Sequence, residues 1–469
     1  MMQQDLTTGK ITSKLWMFAL PLMLGNVMQQ FYNLADTWIV GRFVGTGAMA
    51  AVGSAYTLMT FLTSIILGLC LGSGAFVSMV FGERNEEKMR RGIFLSFTMI
   101  GLVTVVLAAA AFWRIDGIIR LLQVPGELHD MMHVYLYYVF WGMMGTFFYN
   151  YFSNLLRAIG NSVVPLIFLS ISVGLNIVLD VFMIVTLGMG IKGAAVATTV
   201  SQYISGIGLC LYYYLAYPAL RLKREDCRWR KEIVQEITSL SGYTCLQQSV
   251  MNFGILMVQG IVNSFGTAVM SAFAVAVKID TIAYMPVQDF GNAFSTFVAQ
   301  NFGAKKTERI RAGIRQAAVS VTVFCLCISA VVCLFAGKLM ALFVGADQPE
   351  IIAIGRQYLW IEGSCYLGIG ILFMLYGYYR AVNIPWMSLV LTVISLGTRV
   401  VLAYVLSGVA WIGVTGIWVA IPIGWALADA AGIGYYLRRQ LLQLRTAGRN
   451  AIVLDRKTNP TQGKGDTNV

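Results

Sequence analysis

The stretch FVSMVFGERNEEKMRRGI, Phe76–Ile93, returns later in the chain as FVAQNFGAKKTERIRAGI, Phe297–Ile314. Phenylalanine, valine, glycine, arginine and isoleucine recur at matching positions of the two copies. Further along, GIKGAAVA at Gly190–Ala197 returns at nearly the same spacing as GVTGIWVA at Gly413–Ala420. Because these matches extend over most of both halves, the chain is predicted to be an internal duplication.

The composition of the chain is that of a membrane protein. Of its 469 residues, 58% are hydrophobic and 12% are charged, and the mean hydropathy is +0.70, whereas soluble domains carry about 25% charged residues. Helices need about 20 apolar residues to cross a bilayer, and twelve such spans are predicted: Leu15–Val40, Ala48–Phe81, Gly92–Phe112, Met132–Phe152, Val163–Leu187, Ala194–Leu215, Ser239–Val262, Thr267–Phe297, Ile314–Phe335, Tyr358–Tyr378, Trp386–Leu406 and Val414–Leu437. Runs this long without alternating polarity predict helices and exclude a barrel.

The duplication and the spans together predict the fold. Six spans in each half mean that each half starts and ends on the same side, so the halves are related by a pseudo-two-fold axis along the membrane normal. We expect an all-α polytopic membrane protein with twelve transmembrane helices in two six-helix lobes and a central cavity. The predicted parts are a cytoplasmic N-terminal segment (1–14), an N-lobe (15–220), a cytoplasmic linker (221–238), a C-lobe (239–439) and a disordered cytoplasmic tail (440–469).

The net charge of +12 is explained by topology. Its basic clusters follow even-numbered spans: ERNEEKMRR at Glu83–Arg91, RLKREDCRWRK at Arg221–Lys231, AKKTERIR at Ala304–Arg311, and the tail from Arg438. The positive-inside rule therefore places both termini in the cytoplasm. Nucleic-acid binding is not expected, because only Trp229 supplies an aromatic residue among these basic ones.

Polar residues inside the first-half spans are the first candidate site. Gln29, Tyr32, Asn33 and Asp36 lie on one face of the first helix. A charge at the centre of a membrane helix costs about 2.5–3.5 kcal/mol on insertion scales. A carboxylate at Asp36 therefore predicts a functional group that faces the bundle interior.

A second carboxylate lies in the fifth span. Asn176 and Asp180 are four residues apart and share a helix face, and Thr198 follows early in the sixth span. We expect Asp36 and Asp180 to face each other inside the bundle. Two buried carboxylates at close distance share a proton or hold a small cation between them. An oxygen-only ligand set suits Na⁺ or H⁺ and not a transition metal.

An alternative is that Asp36 and Asp180 are only satisfied polar anchors. The repeat argues against this alternative, because Met257 and Ala403 occupy the second-half positions that correspond to Asp36 and Asp180. A purely architectural anchor would be expected in both halves. Pro21 lies earlier in the first span and predicts a kink, which is either static or coupled to protonation of Asp36.

The second half contains its own charged residues within spans. Lys278, Asp280, Asp289 and Glu362 are candidate contacts of a substrate cavity. The alternative is structural: Lys278 pairs with an acid of a neighbouring helix, and Glu362 pairs with Arg399 in a neutral link.

Other motifs give no support for catalysis or for a metal centre. GMGIKG, Gly188–Gly193, fits the dinucleotide-binding pattern but joins two membrane spans without a preceding strand, so its glycines predict a tight hairpin. His129 and His133 lie four apart near the outer mouth of the fourth span and are expected to be interfacial, with weak metal binding as the alternative. No hydrolase, metalloprotease or P-loop motif is found, so the chain is not expected to be an enzyme.

Several stretches resemble the multidrug and toxic compound extrusion transporters, and most closely their bacterial branch. They are FYNLADTWIVGRFVGTGAMAAVG in the first span and after it, the LRAIGNSVVP loop, LNIVLD, and GIKGAAVATTVSQ. In this family a first-lobe cation site uses residues that correspond to Asp36, Asn176, Asp180 and Thr198. The resemblance also implies a backbone carbonyl from Ala194, with Tyr32 and Gln29 beside the site, and a first helix bent near Pro21. Some members carry an acidic ligand in the seventh helix, whereas Ser239–Val262 has none, which favours the first-lobe site.

The resemblance implies an antiporter that exports organic, mostly cationic compounds in exchange for H⁺ or Na⁺ by rocking-bundle alternating access. It implies no cofactor beyond the driving ion and no metal beyond Na⁺. The expected partners are small organic substrates and the lipid bilayer, without nucleic acid or an obligate protein partner, in a monomer of the bacterial cytoplasmic membrane. The alternative is a lipid-linked precursor flippase, which would need a strongly basic cavity and usually extra helices.

Overall fold

The computed structural model describes residues 4–121, 126–345 and 347–458, which are helical almost throughout and contain no strand. Its helices are α1 (Ile11–Phe43), α2 (Thr46–Glu83), α3 (Glu86–Trp113), α4 (Ile115–Leu121), α5 (His129–Trp141), α6 (Met143–Ala158), α7 (Val163–Asp180), α8 (Gly190–Ala216), α9 (Lys231–Asn263), α10 (Thr267–Gly303), α11 (Thr307–Val344), α12 (Pro349–Gly363), α13 (Tyr366–Ala381), α14 (Pro385–Ser407) and α15 (Thr415–Thr458). A π-helical turn, Val181–Thr186, continues α7, and single 3₁₀ turns lie at Gly126–Leu128 and Pro218–Leu220.

Each predicted span has a helical counterpart. Within the described residues, ten helical segments are long and apolar enough to cross a membrane, and α12 with α13 forms a pair bent by 52° that makes an eleventh crossing. The fourth predicted span, Met132–Phe152, is divided between α5 and α6 at Gly142. The predicted twelve-span, two-lobe fold is therefore confirmed, with two of the spans interrupted.

Proline and glycine act differently in these helices. The helices α1 and α10 continue without a break through Pro21 and Pro286, so the bend predicted at Pro21 stays a prediction. At Gly142 a Cβ atom would lie 2.9 Å from the Val139 carbonyl oxygen and 3.0 Å from the Thr199 hydroxyl of α8. The break between α5 and α6 thus lies where a neighbouring helix packs too closely for any side chain.

The two lobes are in backbone contact within the duplicated stretches Phe76–Ile93 and Phe297–Ile314. A Cβ atom on Gly82 of α2 would lie 2.8 Å from the carbonyl carbon of Gln300 in α10. The equivalent glycine of the second copy, Gly303, would place its Cβ 2.8 Å from the carbonyl carbon of Met79 in α2. The duplicated glycines therefore let the backbones of α2 and α10 touch across the pseudo-two-fold axis.

The N-terminal segment, residues 4–10, lies between the lobes at this crossing. Gln4 donates its N–H to the Gly160 carbonyl of the N-lobe at 2.9 Å. Leu6 is fully buried and donates its N–H to Gln300 Oε1 at 3.2 Å, while the Arg309 guanidinium donates to the carbonyl of Leu6 and to those of Thr8 and Gly9. We call this end of the bundle the inner side, and the structure is closed there.

The linker is fixed to the N-lobe by an ion pair. Arg90 Nε of α3 lies 2.8 Å from Asp226 Oδ2, and Asp226 also accepts from the Lys223 N–H at 3.1 Å. Burial alone would raise the pKa of Asp226, but these hydrogen bonds and the charge of Arg90 hold it below its ordinary value. The carboxylate therefore stays ionised and attached to Arg90 at neutral pH.

The tail predicted to begin at residue 440 is helical at its start. α15 runs on as far as Thr458, and residues 459–469 lie outside the described residues. The disorder expected of the tail, like the boundaries of the predicted parts, stays a prediction.

Candidate functional site

The fold brings Asp36 of α1 and Asp180 at the end of α7 together inside the N-lobe. Asp36 is 7% exposed and Asp180 is fully buried. Their carboxyl groups lie within hydrogen-bonding reach of each other. An ionised carboxylate can only accept, so a hydrogen bond between these two groups requires a proton on one of them.

Three polar side chains from three helices surround this carboxyl pair. In the amide orientation that satisfies both of its polar atoms, Asn176 donates Nδ2 to Asp180 Oδ2 at 2.9 Å and accepts from the Thr198 N–H at 3.2 Å. The Thr198 hydroxyl lies 3.3 Å from the Tyr32 hydroxyl. Helical spacing explains the geometry: Tyr32 and Asp36 are one turn apart on α1, and Asn176 and Asp180 are one turn apart on α7.

A change of helix type occurs at Asp180. The α-helical pattern ends at this residue and the π-helical turn Val181–Thr186 follows directly. π-Helical turns shift the register of the following backbone and are frequent at functional sites. Asp180 is thus placed at the point where α7 departs from regular geometry.

The carboxyl pair has no cationic partner among the described residues. Within the part of the chain that the structure describes, no lysine or arginine lies within ion-pair distance of Asp36 or Asp180, and Oδ1 of each carboxyl group has no donor. A buried pair of this kind must be neutralised by a proton or by a bound cation. Its neighbours supply only oxygen atoms and an amide, which suits H⁺ or Na⁺.

Two residues expected at the site are less directly involved. Gln29 makes no hydrogen bond to the carboxyl pair in the part of the chain that the structure describes, although it lies on the same helix as Asp36. Ala194 is fully buried one turn before Thr198, and a contribution of its carbonyl stays a prediction. Tyr135 of α5 was not anticipated, yet it lies close enough to Asp36, Asp180 and Tyr32 to interact with their charges.

The C-lobe contains a second pair of carboxyl groups. Asp280 of α10 and Glu362 at the end of α12 are buried and within hydrogen-bonding reach of each other. Tyr366 lies close to Asp280 and Tyr358 lies close to Glu362, and the charge of Arg399 acts on both acids. The predicted Glu362–Arg399 link thus becomes a cluster that also contains Asp280.

Three further charged groups of the C-lobe behave differently from one another. Lys278 is exposed and forms no ion pair among the described residues, so pairing with an acid of a neighbouring helix was wrong. Asp289 is buried and accepts from Asn26 Nδ2 of the other lobe at 2.6 Å. Asp429 of α15 is buried, and no donor in the described residues reaches its Oδ1. The sequence pattern did not predict a buried acid here, because Asp429 has no polar neighbour in sequence.

The remaining motifs lie away from these clusters. Gly188 and Gly190 have φ of +63° and +57°, which confirms the tight hairpin predicted for GMGIKG. His129 Nε2 and His133 Nε2 lie 3.9 and 3.8 Å from Asp116 Oδ1 on the outer side. No group of three such residues in the described ranges is arranged to hold a metal ion.

A duplicated bundle of membrane-crossing helices with polar clusters buried in both lobes is the architecture of a secondary transporter. The chain belongs to the MatE family, whose model matches it twice, over residues 21–182 and 244–405, once in each half. Both matches end before the last helix of their lobe, and the first contains Asp36, Asn176 and Asp180.

The chain is also similar to named members of this family. It is 30% identical to the probable multidrug resistance protein YpnP of Bacillus subtilis, over 92% of this chain and 96% of that protein. It is 23% identical to the multidrug export protein MepA of Staphylococcus aureus, over 92% and 94%. A crystal structure described as MATE in the bent conformation superposes with a TM-score of 0.88 at 22% identity, covering 94% of this chain and 98% of that one. These relatives are transport proteins and not enzymes, which agrees with the lack of catalytic motifs.

Proposed function

We propose that this protein is a multidrug exporter that moves organic, mostly cationic compounds out of the cell in exchange for H⁺ or Na⁺. The observation that carries this proposal is the Asp36–Asp180 pair, which is buried without a basic partner and so needs an exchangeable cation. The B. subtilis and S. aureus relatives are named for multidrug resistance and multidrug export, which supports drugs as the exported compounds.

Coupling in this mechanism comes from a preference of the two ligands for different states. A ligand that binds both states equally well shifts nothing. We propose that the outward-facing state, closed on the inner side, takes up the cation at Asp36 and Asp180 and releases the drug. Loss of the cation then favours opening of the inner side, where the next drug binds.

The named neighbours have separate roles in this proposal. Asn176 and Thr198 orient the Asp180 carboxyl group through the hydrogen bonds described above, and Tyr32 ties Thr198 to α1. Gln29 and the Ala194 carbonyl would complete the coordination of Na⁺ when it binds. Pro21 would allow α1 to bend when the charge of Asp36 changes.

The C-lobe residues have two roles in the proposal. Asp280, Glu362 and Arg399 form a link that is neutral when the two acids share one proton, and its function is structural. Lys278, which is exposed and unpaired in the described part of the chain, and Asp289, which contacts α1, are the candidates for substrate contact.

The proposed setting is the bacterial cytoplasmic membrane, with both termini in the cytoplasm, and the proposed active form is a monomer without a protein partner or nucleic acid. The driving ion is the only cofactor in this mechanism. A lipid-linked precursor flippase is not favoured, because the relatives are named for drug resistance and export.

The test is efflux from proteoliposomes loaded with a fluorescent organic cation. A pH gradient and a Na⁺ gradient are imposed separately on wild type and on empty liposomes. We expect efflux under one of the two gradients only, which identifies the coupling ion. Passive efflux at the same rate without any gradient would contradict antiport and would indicate a channel.

A further inference from the structure

A small cavity lies on the pseudo-two-fold axis just above the inner closure. Its volume is about 40 Å³, whereas one water molecule needs about 10–15 Å³. It is lined by α1, α2 and α6 of the N-lobe and by α10 and α13 of the C-lobe. The cavity therefore has room for one small polar group, but not for a whole drug molecule.

Two arginines, one from each lobe, face this cavity. Arg157 is at the inner end of α6 and Arg380 at the inner end of α13. They occupy equivalent positions of the internal repeat, in LLRAIG and YYRAVN. Across a two-fold axis, equivalent residues approach the same point from opposite sides, so both guanidinium groups are directed to one site.

Neither arginine has an anionic partner in the described ranges of the chain. Arg380 is 7% exposed and donates only to neutral acceptors, Asn292 Oδ1 at 3.0 Å and Ser295 Oγ at 3.4 Å. Arg157 makes no hydrogen bond or ion pair among the described residues, and its Nε atom is buried without a partner. By contrast, the buried Arg90 has Asp226 at 2.8 Å.

The nearest acid does not cancel the charge of the two arginines. Asp289 feels the charge of Arg157, but it is not within ion-pair distance and it accepts from Asn26 instead. Even with Asp289 ionised, the three groups leave a net positive charge at the cavity. Buried charge without compensation is costly, and guanidinium groups bind carboxylate and phosphate oxygens in paired hydrogen bonds.

We propose that this cavity is an anion-binding site in which Arg157 and Arg380 together hold the carboxylate, phosphate or sulfonate group of a small solute. The inference rests on the proposed export function and extends its substrates to zwitterions that carry such a group beside their cation. Because each lobe supplies one arginine, a bound anion contacts both lobes.

The experiment compares two forms of one dye, a rhodamine with a free carboxylate and its methyl ester. Efflux of each is measured in wild type, Arg157→Gln, Arg380→Gln and the control Arg315→Gln, which changes an exposed arginine of α11. We expect each cavity variant to raise the KM for the acid about tenfold, the loss of one charge-assisted hydrogen bond. The KM for the ester should not change, and Arg315→Gln should behave as wild type.

Inorganic sulfate separates the two possible sources of the anion. If the natural ligand is a free anion, sulfate raises the melting temperature of wild type but not of Arg157→Gln or Arg380→Gln, and the acid and ester have equal KM values. Equal acid-to-ester KM ratios in wild type and both variants, without stabilisation by sulfate, would overturn the anion site. If the variants fail to fold, the measurements on wild type decide alone. Equal KM values for the acid and the ester, together with no effect of sulfate on the melting temperature, then also overturn the anion site. Failure of wild type to export even the ester would instead refute the proposed export function.

Discussion

The Asp36–Asp180 pair and the Asp280–Glu362 pair differ in their surroundings. Arg399 acts on both acids of the second pair, whereas only amide, hydroxyl and phenol groups surround the first. Two carboxyl groups that share one proton carry one negative charge. In the second pair Arg399 cancels this charge, whereas the first pair needs a further proton or cation from its surroundings. This difference supports the proposal that ion coupling lies in the N-lobe.

Sequence spacing predicted the contacts within each helix of the site but not the contacts between helices. The four-residue intervals of α1 and α7 correctly placed Tyr32 beside Asp36 and Asn176 beside Asp180. Tyr135 was missed because its approach to Asp36 depends on how α5 packs against α8 and α2. The place of Asp280 beside Glu362 was missed for the same reason, since it depends on how α10 packs against α12.

Replacing Asp280 tests the structural role of the second pair. Asp280→Ala leaves the buried Glu362 without its carboxyl partner, so the free energy of unfolding should fall by about 1–3 kcal/mol. The ion dependence of efflux should remain, since the first pair is intact. Thermal unfolding in detergent and gradient-driven efflux measure the two effects, with exposed Asp347→Ala as the control. Loss of ion dependence at unchanged stability would move the coupling site to the C-lobe.

At the scale of helices, glycine decides where the lobes can meet. The Phe-Gly pair that recurs in both copies helped to predict the duplication. The sequence pattern does not show that Gly82 contacts α10 and that Gly303 contacts α2. The insertion of residues 4–10 between the lobes was also not predictable. The insertion depends on hydrogen bonds from Arg309 to backbone carbonyl groups of this segment. Every residue has a backbone carbonyl group, so the sequence does not indicate which ones accept these bonds.

Adding one methyl group at the crossing should open the inner side. Gly82→Ala forces α2 away from the Gln300 backbone at a cost of about 1–3 kcal/mol, so the population open on the inner side should rise about tenfold. Gly53→Ala is the matched control, because that glycine of α2 has no atom within 4 Å of the added Cβ. The measurement is maleimide labelling of Thr296→Cys from the inner side, in protein without the exposed Cys227 and Cys327. Equal labelling of both glycine variants would contradict the closed crossing.

At the scale of the whole molecule, the duplicated lobes carry unequal chemistry. The scaffold was predictable because apolar runs and the repeated segments are long and redundant. The unequal placement of the buried acids was predictable in part, because Met257 and Ala403 stand where the first half has Asp36 and Asp180. Which side is closed was not predictable, since both states of an alternating-access protein have the same sequence.

Exchange of one monovalent ion for one monovalent drug moves no net charge. The membrane potential, worth about 2.3 kcal/mol per charge per 100 mV, should then have no effect on efflux of a monovalent dye. Efflux rates at potentials set with potassium and valinomycin measure this. A rate that rises with potential would show that more than one ion enters for each drug.

The central claim is that Asp36 and Asp180 hold the ion that the drug displaces. The most direct measurement is ion release when drug is added to purified protein in weakly buffered detergent, followed with a pH indicator and a Na⁺ electrode. We predict release of about one ion for each drug bound by wild type and by the buried control Asp429→Asn, and none by Asp36→Asn or Asp180→Asn. Release that persists in both of these variants, or drug binding by wild type without any release, would contradict it.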